Sequence, residues 1–416
     1  MLSSHGPNSI RVRAADWDDN RKRLFENRVA ALLNHNDFLL LYVPNDGSKL
    51  KLVKPAQDSY HQLDMIQRIN QSENNPSTWY ALSHVWGTTK EEDQIWHKIS
   101  DHLDDEHGNP INPLGENPIY MRSEKRDPLL TLLGAYPDSY WWIDVLCART
   151  STPLDIMGDI YACCAQSIAM IDCDDTTIPA IHDMKQVNPH FPRTSGEQND
   201  ISFDDYFAQY EKLNELFLAL TQCEWWKRVW TWQEMVLPQD VLFISETTKT
   251  VSDKNMLHMD DLYHFETMLG KMILCCMRQG TRTLHAPTTA FKELKSCRKF
   301  NTYRVSDKKE LSSLITLFDT FGGSSRRCMD PADYVYGVLG VLQFEIPRMT
   351  DPKAVWHDFL SELDNFVQDH VCNGTEEAVP SSIFTINDRA RHLDLTSVKN
   401  MADVYRDLLI EYKCTL

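Results

Sequence analysis

The residue with the clearest potential for chemistry is Glu234, which ends the run Trp225-Trp226-Lys227-Arg228-Val229-Trp230-Thr231-Trp232-Gln233-Glu234. Four tryptophans in eight residues present so much apolar surface that the fold must bury most of it. Glu234 is therefore expected beside a dry aromatic wall, where a carboxyl group ionises less readily than in water and suits acid/base chemistry. The alternative is a helix-surface glutamate next to core aromatics, and this run alone leaves both interpretations open.

A second group of candidate residues follows from two apolar segments, residues 79–87 and 140–147. Each segment has the composition of a buried strand, and ligands bind at the carboxyl ends of strands in open α/β sheets. A buried polar group also needs a partner, so the polar side chains of the two strands are predicted to share one pocket. We assign His84 and Asp144, with Glu234, to catalysis. The alternative is that His84 is a hydrogen-bonded core histidine and Asp144 only holds a loop. The side chains predicted to reach the strand ends are Ser83, His84, Trp86 and Asp144, of which we assign Ser83 and Trp86 to substrate binding.

Arg149 lies between the second of these strands and the helix start at Thr152-Pro153-Leu154-Asp155. Threonine can cap a helix, and proline suits its first turn. An arginine beside a helix N-terminus is well placed to hold a phosphate or carboxylate, so we assign Arg149 to ligand binding. The alternative is a surface arginine paired with Asp155 or Asp159.

The elements that must position these residues alternate between short apolar strands and amphipathic helices. Strands are predicted around Leu82, Ile143, Ile168 and Phe243, and the helix from Leu154 to about Gln166 joins two of them. Strand, helix and strand in so short a stretch indicate a parallel crossover. We predict an α/β fold with one largely parallel sheet, helices on both faces and a mainly helical C-terminal region. The predicted domains are an N-terminal lead-in (1–76), an α/β domain (77–250) and the helical region (251–416), whose helices span 260–277, 309–321, 334–342 and 354–368.

Composition excludes several classes of partner. The formal net charge is −18, which argues against nucleic acid because such binding depends on lysine and arginine neutralising phosphates. No run of apolar residues is long enough to span a membrane, and the polar N-terminus lacks a signal core, so a cytoplasmic protein is expected. The 11 cysteines are expected to be reduced and mostly buried. No metal site is predicted, because His97, His102 and His107 have no cysteines at metal-ligand spacing.

Several blocks, in order, resemble the signature of the fungal heterokaryon-incompatibility (HET) domain. A further block, residues 330–340, resembles the helical segment that commonly follows such domains, so the resemblance covers roughly residues 77 to 345. The sequence departs from the family pattern at Ala148-Arg149-Thr150, where the family usually continues into an Ile-Asn-Gln type turn. The matching blocks are Tyr80-Ala81-Leu82-Ser83-His84-Val85-Trp86-Gly87, Trp142-Ile143-Asp144-Val145-Leu146-Cys147, the helix with Met157 and Tyr161, and residues 228–234.

This resemblance implies a role in self/non-self recognition and programmed cell death. HET domains are distantly similar to TIR domains, which share a flavodoxin-like sheet and in many cases hydrolyse NAD. In TIR domains the catalytic glutamate lies four residues after a tryptophan, and Trp230 and Glu234 have that spacing here. The resemblance therefore implies that Glu234 is catalytic, that NAD is a substrate rather than a bound cofactor, and that Arg228 and Trp230 contact it.

Three classes of function stay open at this stage. The first is a cell-death effector with NAD glycohydrolase chemistry, acting on a small molecule in a strand-end cleft. The second is a non-catalytic module that binds protein partners or self-associates. The third is a HET-like fold used as a biosynthetic enzyme on a small metabolite, which the altered loop at Ala148-Arg149-Thr150 favours. A conventional dehydrogenase is disfavoured, because the chain has no G-x-G-x-x-G loop.

Overall fold

The computed structural model describes residues 9–74, 76–85, 96–104, 120–149, 152–185, 203–279, 290, 292–296, 311–372 and 382–413. In these ranges no helix combines the length and apolar character needed to cross a membrane. The strands β1 to β12 are Leu40–Val43, Leu50–Val53, Trp79–His84, Trp96–Lys98, Leu103–Asp104, Tyr120–Arg122, Ser139–Ile143, Gln166–Ile171, Val241–Ser245, Met256–His258, Ser382–Ile386 and Leu409–Lys413. The helices α1 to α14 are Asp19–Leu33, Ser59–Gln71, Ser123–Gly134, Asp144–Cys147, Asp155–Cys163, Thr177–Lys185, Phe203–Thr221, Thr231–Val236, Met259–Gln279, Leu311–Phe321, Asp333–Leu342, Pro352–Cys372, Asp388–Arg391 and Met401–Tyr405.

The main sheet has eight strands among the described residues, in the order β10-β9-β8-β3-β7-β1-β2-β5. Its four central strands, β9, β8, β3 and β7, run parallel to one another. Antiparallel pairs extend the sheet at both sides, with β10 against β9 and β1 against β7 and β2. The predicted strands around Leu82, Ile143, Ile168 and Phe243 therefore lie in one largely parallel sheet, which confirms the predicted fold class.

The central strands are buried on both faces. Successive residues of a strand point to opposite faces, and every residue of β7 and β9 is buried. The sheet must therefore be covered from both sides, as the nearly unbroken apolar character of these strands predicts. One group of contacting helices contains α1, α5, α8 and α11, and another contains α6, α7 and α9.

The order of the central strands creates a switch point at β3. The chain passes from β3 to its neighbour β7 and then crosses to β8 on the other side of β3, before reaching β9. This is the order of flavodoxin-like sheets, in which the connections leave β3 in opposite directions and open a crevice at its carboxyl end. Ser83 and His84 are the last two residues of β3, so the topology places them at that crevice.

The prediction of one strand over residues 140–147 was wrong at its end. The strand β7 stops at Ile143, and Asp144 begins the one-turn helix α4. The Asp144 carboxylate accepts a hydrogen bond from the backbone N–H of Val145 at 2.7 Å, and its carbonyl accepts one from Ala148 at 2.8 Å. An aspartate that binds its own backbone in this way favours a helix start over an extended ladder.

The described part of the C-terminal region is mainly helical, as predicted, and one of its helices packs against the α/β sheet domain. Gly158 of α5 and Gly340 of α11 face each other so closely that a Cβ placed on either would stand 2.6 Å from the Cα of the other. Glycine is required at this crossing because the two helix backbones are in contact. The described residues after 381 are mixed, because β11 and β12 form an antiparallel pair there beside the short helices α13 and α14.

The N-terminal elements join the same sheet. β1 pairs with β7 through Leu41 opposite Trp141, and Gly47 adopts a positive φ of 74° in the turn that leads to β2. The domain boundaries at residues 76 and 250 stay a prediction.

Replacing Gly340 by alanine should destabilise the protein. The added methyl carbon would stand 2.6 Å from Gly158 Cα and 2.8 Å from Gln233 Oε1, and overpacking of this kind costs about 1–3 kcal/mol. Urea denaturation measures the change in the free energy of unfolding. The matched control is Gly270→Ala in α9, where an added Cβ would meet no described atom within 4 Å outside its own helix backbone and chain neighbours, and it should stabilise the protein by about 0.5–1 kcal/mol. Equal stabilisation by both substitutions would contradict the close helix crossing.

Candidate active site

The centre of the site is a hydrogen bond between Ser83 and Glu234. Ser83 stands at the end of β3, and Glu234 lies on the six-residue helix α8; both are buried. The Ser83 hydroxyl donates to Glu234 Oε2 and accepts from the indole N–H of Trp225 at 2.6 Å. One hydroxyl therefore accepts from the Trp225 indole and donates to the Glu234 carboxylate, which joins the three side chains. The structure thus brings Ser83 and Glu234 together at the switch point.

A turn between residues 224 and 227 positions Trp225. The turn is held by Asp172, which follows β8 and whose carboxylate accepts the backbone N–H groups of Glu224 and Trp225 at 2.9 and 3.2 Å. The neighbouring Trp226 stacks on Phe243 of β9, with ring centroids 5.7 Å apart. Trp225 therefore reaches Ser83 because the adjacent strands β8 and β9 both anchor its turn.

The environment of Glu234 favours its protonated form. Burial raises the pKa of Glu234 from 4.5, the value of an exposed glutamate, to about 7, and the negative charge of Asp144 acts in the same direction. The positive charge of Arg228 opposes this rise, as do the hydroxyl groups of Ser83 and Tyr161. A carboxyl group with a pKa near neutrality can change its protonation state during a reaction, as acid/base catalysis requires.

His84 and Asp144 form the second contact of the site. His84 Nε2 lies 3.2 Å from Asp144 Oδ1, and the histidine is almost fully buried while 22% of the aspartate side chain is exposed. Burial and the positive charge of Lys125 lower the pKa of His84, although Asp144 acts in the opposite direction. The lowered pKa favours the neutral form of His84, and Asp144 acts on both His84 and Glu234.

Two cationic side chains hold the end of β3. Arg228 donates to the carbonyl of His84 at 2.8 Å, and Lys125 donates to the carbonyl of Val85. Lys125 is buried and pairs with Glu246 at 3.1 Å, just beyond β9. Burial lowers the pKa of Lys125, and Glu246 partly offsets this. The carbonyls of His84 and Val85, at the end of β3, are thus bound by cationic side chains from two separate segments.

The remaining predicted ligand-binding residues lie in different settings. The Arg149 guanidinium donates to the carbonyls of Leu146 and Ala148, at 2.9 and 3.0 Å, and Asp159 pairs instead with Arg28. Trp230 is half-buried, and its indole hydrogen-bonds Asp333, whose pKa burial raises to about 6. Trp86 lies outside the described residues. Ligand binding by Arg149, Trp230 and Trp86 stays a prediction.

Sequence reasoning missed several members of this site. The sequence places Trp225 in an aromatic wall but does not indicate that it is the tryptophan that contacts Ser83. Tyr161 was noted on the helix of the resembling block, but its effect on Glu234 needs α5 and α8 side by side. Lys125 gave no signal, because it stands in a polar stretch with ordinary surface composition. Each of these roles depends on a contact between distant segments.

The arrangement can perform proton transfer or stabilise a developing positive charge. Its groups are a carboxyl of near-neutral pKa, a hydroxyl that binds it, and a neutral histidine beside an accessible aspartate. Among the described residues, no three His, Cys, Asp or Glu side chains stand together as metal ligands. Cys147, Cys163, Cys164, Cys173 and Cys223 are buried.

Glu234→Gln should stabilise the protein at high pH. Because the folded-state pKa of Glu234 is raised from 4.5 to about 7, folding favours the protonated form, and stability falls as pH rises through this window. The variant removes this loss, which amounts to roughly 3 kcal/mol above pH 7. Denaturant titrations at a series of pH values should give a variant minus wild-type difference near zero at acidic pH that grows toward pH 8. A difference independent of pH would contradict the raised pKa.

Comparison with known proteins identifies the segment that contains this site. Residues 79–234 match the family model of the heterokaryon incompatibility protein (HET), which confirms the predicted family over a shorter range than residues 77–345. The matched segment begins with β3 and ends at Glu234, so Ser83, His84 and Asp144 all lie inside it. Searches of curated proteins and of solved structures return no match to the chain. Residues 79–234 of this chain are therefore a heterokaryon-incompatibility (HET) domain.

Proposed function

We propose that this HET-family chain hydrolyses the bond between nicotinamide and ribose in NAD, with Glu234 as the catalytic carboxylate. The observation that carries the proposal is the Ser83–Glu234 hydrogen bond at the switch point of the sheet, on a carboxyl whose pKa is raised to about 7. Ligands of open α/β sheets bind at this place. The tryptophan spacing of Glu234 supports the same role by resemblance to TIR domains.

The reaction requires a group that stabilises positive charge on the ribose. The C1′–N1 bond breaks, its electron pair goes to nicotinamide, and an oxocarbenium-like ribose develops. The ionised Glu234 carboxylate stabilises this charge through space. Water then forms the new C1′–O bond and loses one proton, first to Glu234 and then to solvent, so that NAD and water give ADP-ribose, nicotinamide and a proton.

The surrounding residues have supporting roles in this scheme. Ser83 orients Oε2 of Glu234, and the Trp225 indole holds the serine hydroxyl in place. Arg228 keeps a fraction of Glu234 ionised at neutral pH, because its positive charge lowers the pKa of the carboxyl group. The half-buried ring of Trp230 offers a surface on which nicotinamide can stack. Asp144 and the neutral His84 contribute polar groups at the next strand end.

In the cell, we propose that this activity serves self/non-self recognition in a fungus. Hydrolysis of NAD removes a cofactor that every cell requires, so an active enzyme would kill the cell that contains it. The proposed location is the cytoplasm, where NAD is present. The family assignment of residues 79–234 supports the role.

A non-catalytic interaction module is the second candidate, and one observation favours it. Ser83, His84 and Glu234 are 1, 4 and 6% exposed, so the cluster is nearly closed to solvent. A closed polar network can serve only to specify the packing of a core. In that case the surface of the domain would bind protein partners or a second copy, and turnover of NAD would be absent.

Incubation of the purified protein with NAD tests the proposal. The wild type should release nicotinamide, with a rate that rises with pH and levels off above the Glu234 pKa of about 7, because the ionised carboxylate is the active form. Glu234→Gln should lower turnover by about a hundredfold or more while the protein stays folded. Chromatography of the products measures both rates.

Glu224→Gln is the matched control for this experiment. Glu224 belongs to the same run, but its side chain is 45% exposed and pairs with Lys227 and Arg327 on the surface. Turnover should be unchanged in this variant. A folded wild type that leaves NAD intact, or a fully active Glu234→Gln variant, would overturn the proposed chemistry and leave the interaction module as the better interpretation.

A further inference from the structure

A buried arginine from the C-terminal region contacts the segment that carries the site. Arg326 is 1% exposed and lies between α10 and α11, far beyond the end of the HET match at residue 234. Its Nε and Nη2 donate to Glu293 Oε2 at 3.1 and 2.8 Å. Glu293 is also buried, and its other carboxylate oxygen accepts from the Ser324 hydroxyl at 2.7 Å.

The third guanidinium nitrogen of Arg326 holds the run that leads to Glu234. Nη1 donates to the carbonyl of Arg228 at 3.0 Å and to the hydroxyl of Thr231. That hydroxyl in turn contacts the carbonyl of Trp225 at 2.7 Å. Arg326 thus binds the carbonyl of Arg228 directly and reaches the carbonyl of Trp225 through the Thr231 hydroxyl.

Backbone hydrogen bonds place Arg326 firmly against this run. The N–H of Arg327 donates to the carbonyl of Lys227 at 2.6 Å, and the N–H of Val229 donates to the carbonyl of Arg327 at 3.2 Å. On the other side, the N–H of Met401 donates to the carbonyl of Arg326 at 2.8 Å. The arginine therefore links the Trp225–Glu234 run to elements near the C-terminus.

The run needs such support because its own secondary structure is weak. A turn of four residues and the six-residue helix α8 contain few internal hydrogen bonds, and Trp230 at the start of α8 provides no side-chain cap. Carbonyls left unpaired at such junctions must find other donors when they are buried. A planar guanidinium with five N–H groups can bind a carboxylate and two further acceptors at once.

We infer that Arg326 is a positioning residue for the Glu234 site, acting through the backbone of Arg228 and the hydroxyl of Thr231. The inference rests on the proposed function in that Glu234 is taken as the reacting carboxylate. Arg228 is the residue through which the effect reaches the site, since its guanidinium binds the carbonyl of His84 at 2.8 Å. The C-terminal region then completes a site whose reacting groups all lie within the HET segment.

This positioning has an electrostatic consequence at Glu234. The groups that act on its pKa are Arg228, which lowers it, Asp144, which raises it, and the hydroxyls of Ser83 and Tyr161, which lower it. Release of the Arg228 backbone would move its positive charge away from the carboxyl group. The pKa of Glu234 should then rise further, because less positive charge opposes the effect of burial.

The test removes the contacts of Arg326 without leaving a buried charge unpaired. Arg326→Met alone would strand the Glu293 carboxylate, whereas replacing a buried ion pair by apolar side chains of similar size is often neutral for stability. The full-length double variant Arg326→Met/Glu293→Met is therefore compared with wild type. Difference infrared spectroscopy follows the Glu234 carboxyl band through a pH titration, with Glu234→Gln in each background as the reference. Nicotinamide release from NAD gives the second readout.

We expect a double variant that melts like the wild type, a Glu234 pKa raised by about one unit or more, and turnover at pH 7 lowered about ten- to a hundredfold. Arg327→Met is the matched control, because that neighbouring side chain is 60% exposed and pairs only with the surface residue Glu224 in the described structure. It should change neither readout. A stable double variant with an unchanged Glu234 pKa would overturn the inference.

A second variant keeps the inference testable if the double variant does not fold. Arg326→Lys retains the charge opposite Glu293, but a single ammonium group cannot span Glu293, the carbonyl of Arg228 and Thr231 together. The same rise in the pKa of Glu234 is expected, and an unchanged pKa would again contradict the positioning role. The infrared titration needs no substrate. If the wild type leaves NAD intact, the proposed function fails while the pKa measurement still decides the role of Arg326.

Discussion

The fold around the site depends on one constraint, which is that the Glu234 carboxyl group is buried and must have a hydrogen-bond partner there. An unpaired buried carboxylate would be too costly, and Ser83 at the end of β3 supplies the required donor. Trp225 donates to the same hydroxyl, so Ser83 joins the end of β3 to both α8 and the turn before it. The orientation of α8, the turn before it and the end of β3 therefore depend on each other.

The sheet topology explains why this pairing occurs where a ligand can be bound. The neighbours of β3 on its two sides are β7 and β8, so the strand order reverses at β3, and the carboxyl end of such a strand is where ligands bind in open α/β sheets. Asp172 follows β8 at the same edge and holds the turn of Trp225. Ser83, Asp144 and Asp172 lie at or just after the ends of the neighbouring strands β3, β7 and β8. These residues are far apart in the sequence but belong to the same site.

The sequence contains enough information for the sheet and for part of the site. Apolar runs with single polar interruptions predicted the strands, and the polar interruptions Ser83 and Asp144 were correctly placed near strand ends. The end of β7 was not predictable from composition, because Val145, Leu146 and Cys147 suit a strand and only the bond from Val145 to Asp144 starts the helix. Trp225 and Lys125 were missed for another reason: both act on partners far away in the sequence, and no local periodicity records such contacts.

The HET match ends at Glu234, but residues after position 234 also contact the segment that carries Glu234. Gly340 of α11 packs against Gly158 and Gln233, the residue before Glu234, while Arg326 binds the backbone of Arg228. Asp333 at the start of α11 binds Trp230 and has a pKa raised to about 6 by burial. Since α8 is too short to hold its own geometry, a change in the packing of α11 or in the Glu293–Arg326 pair would reach the carboxylate directly. The contacts of Gly340, Arg326 and Asp333 therefore extend the support of this run beyond the residues of the HET match.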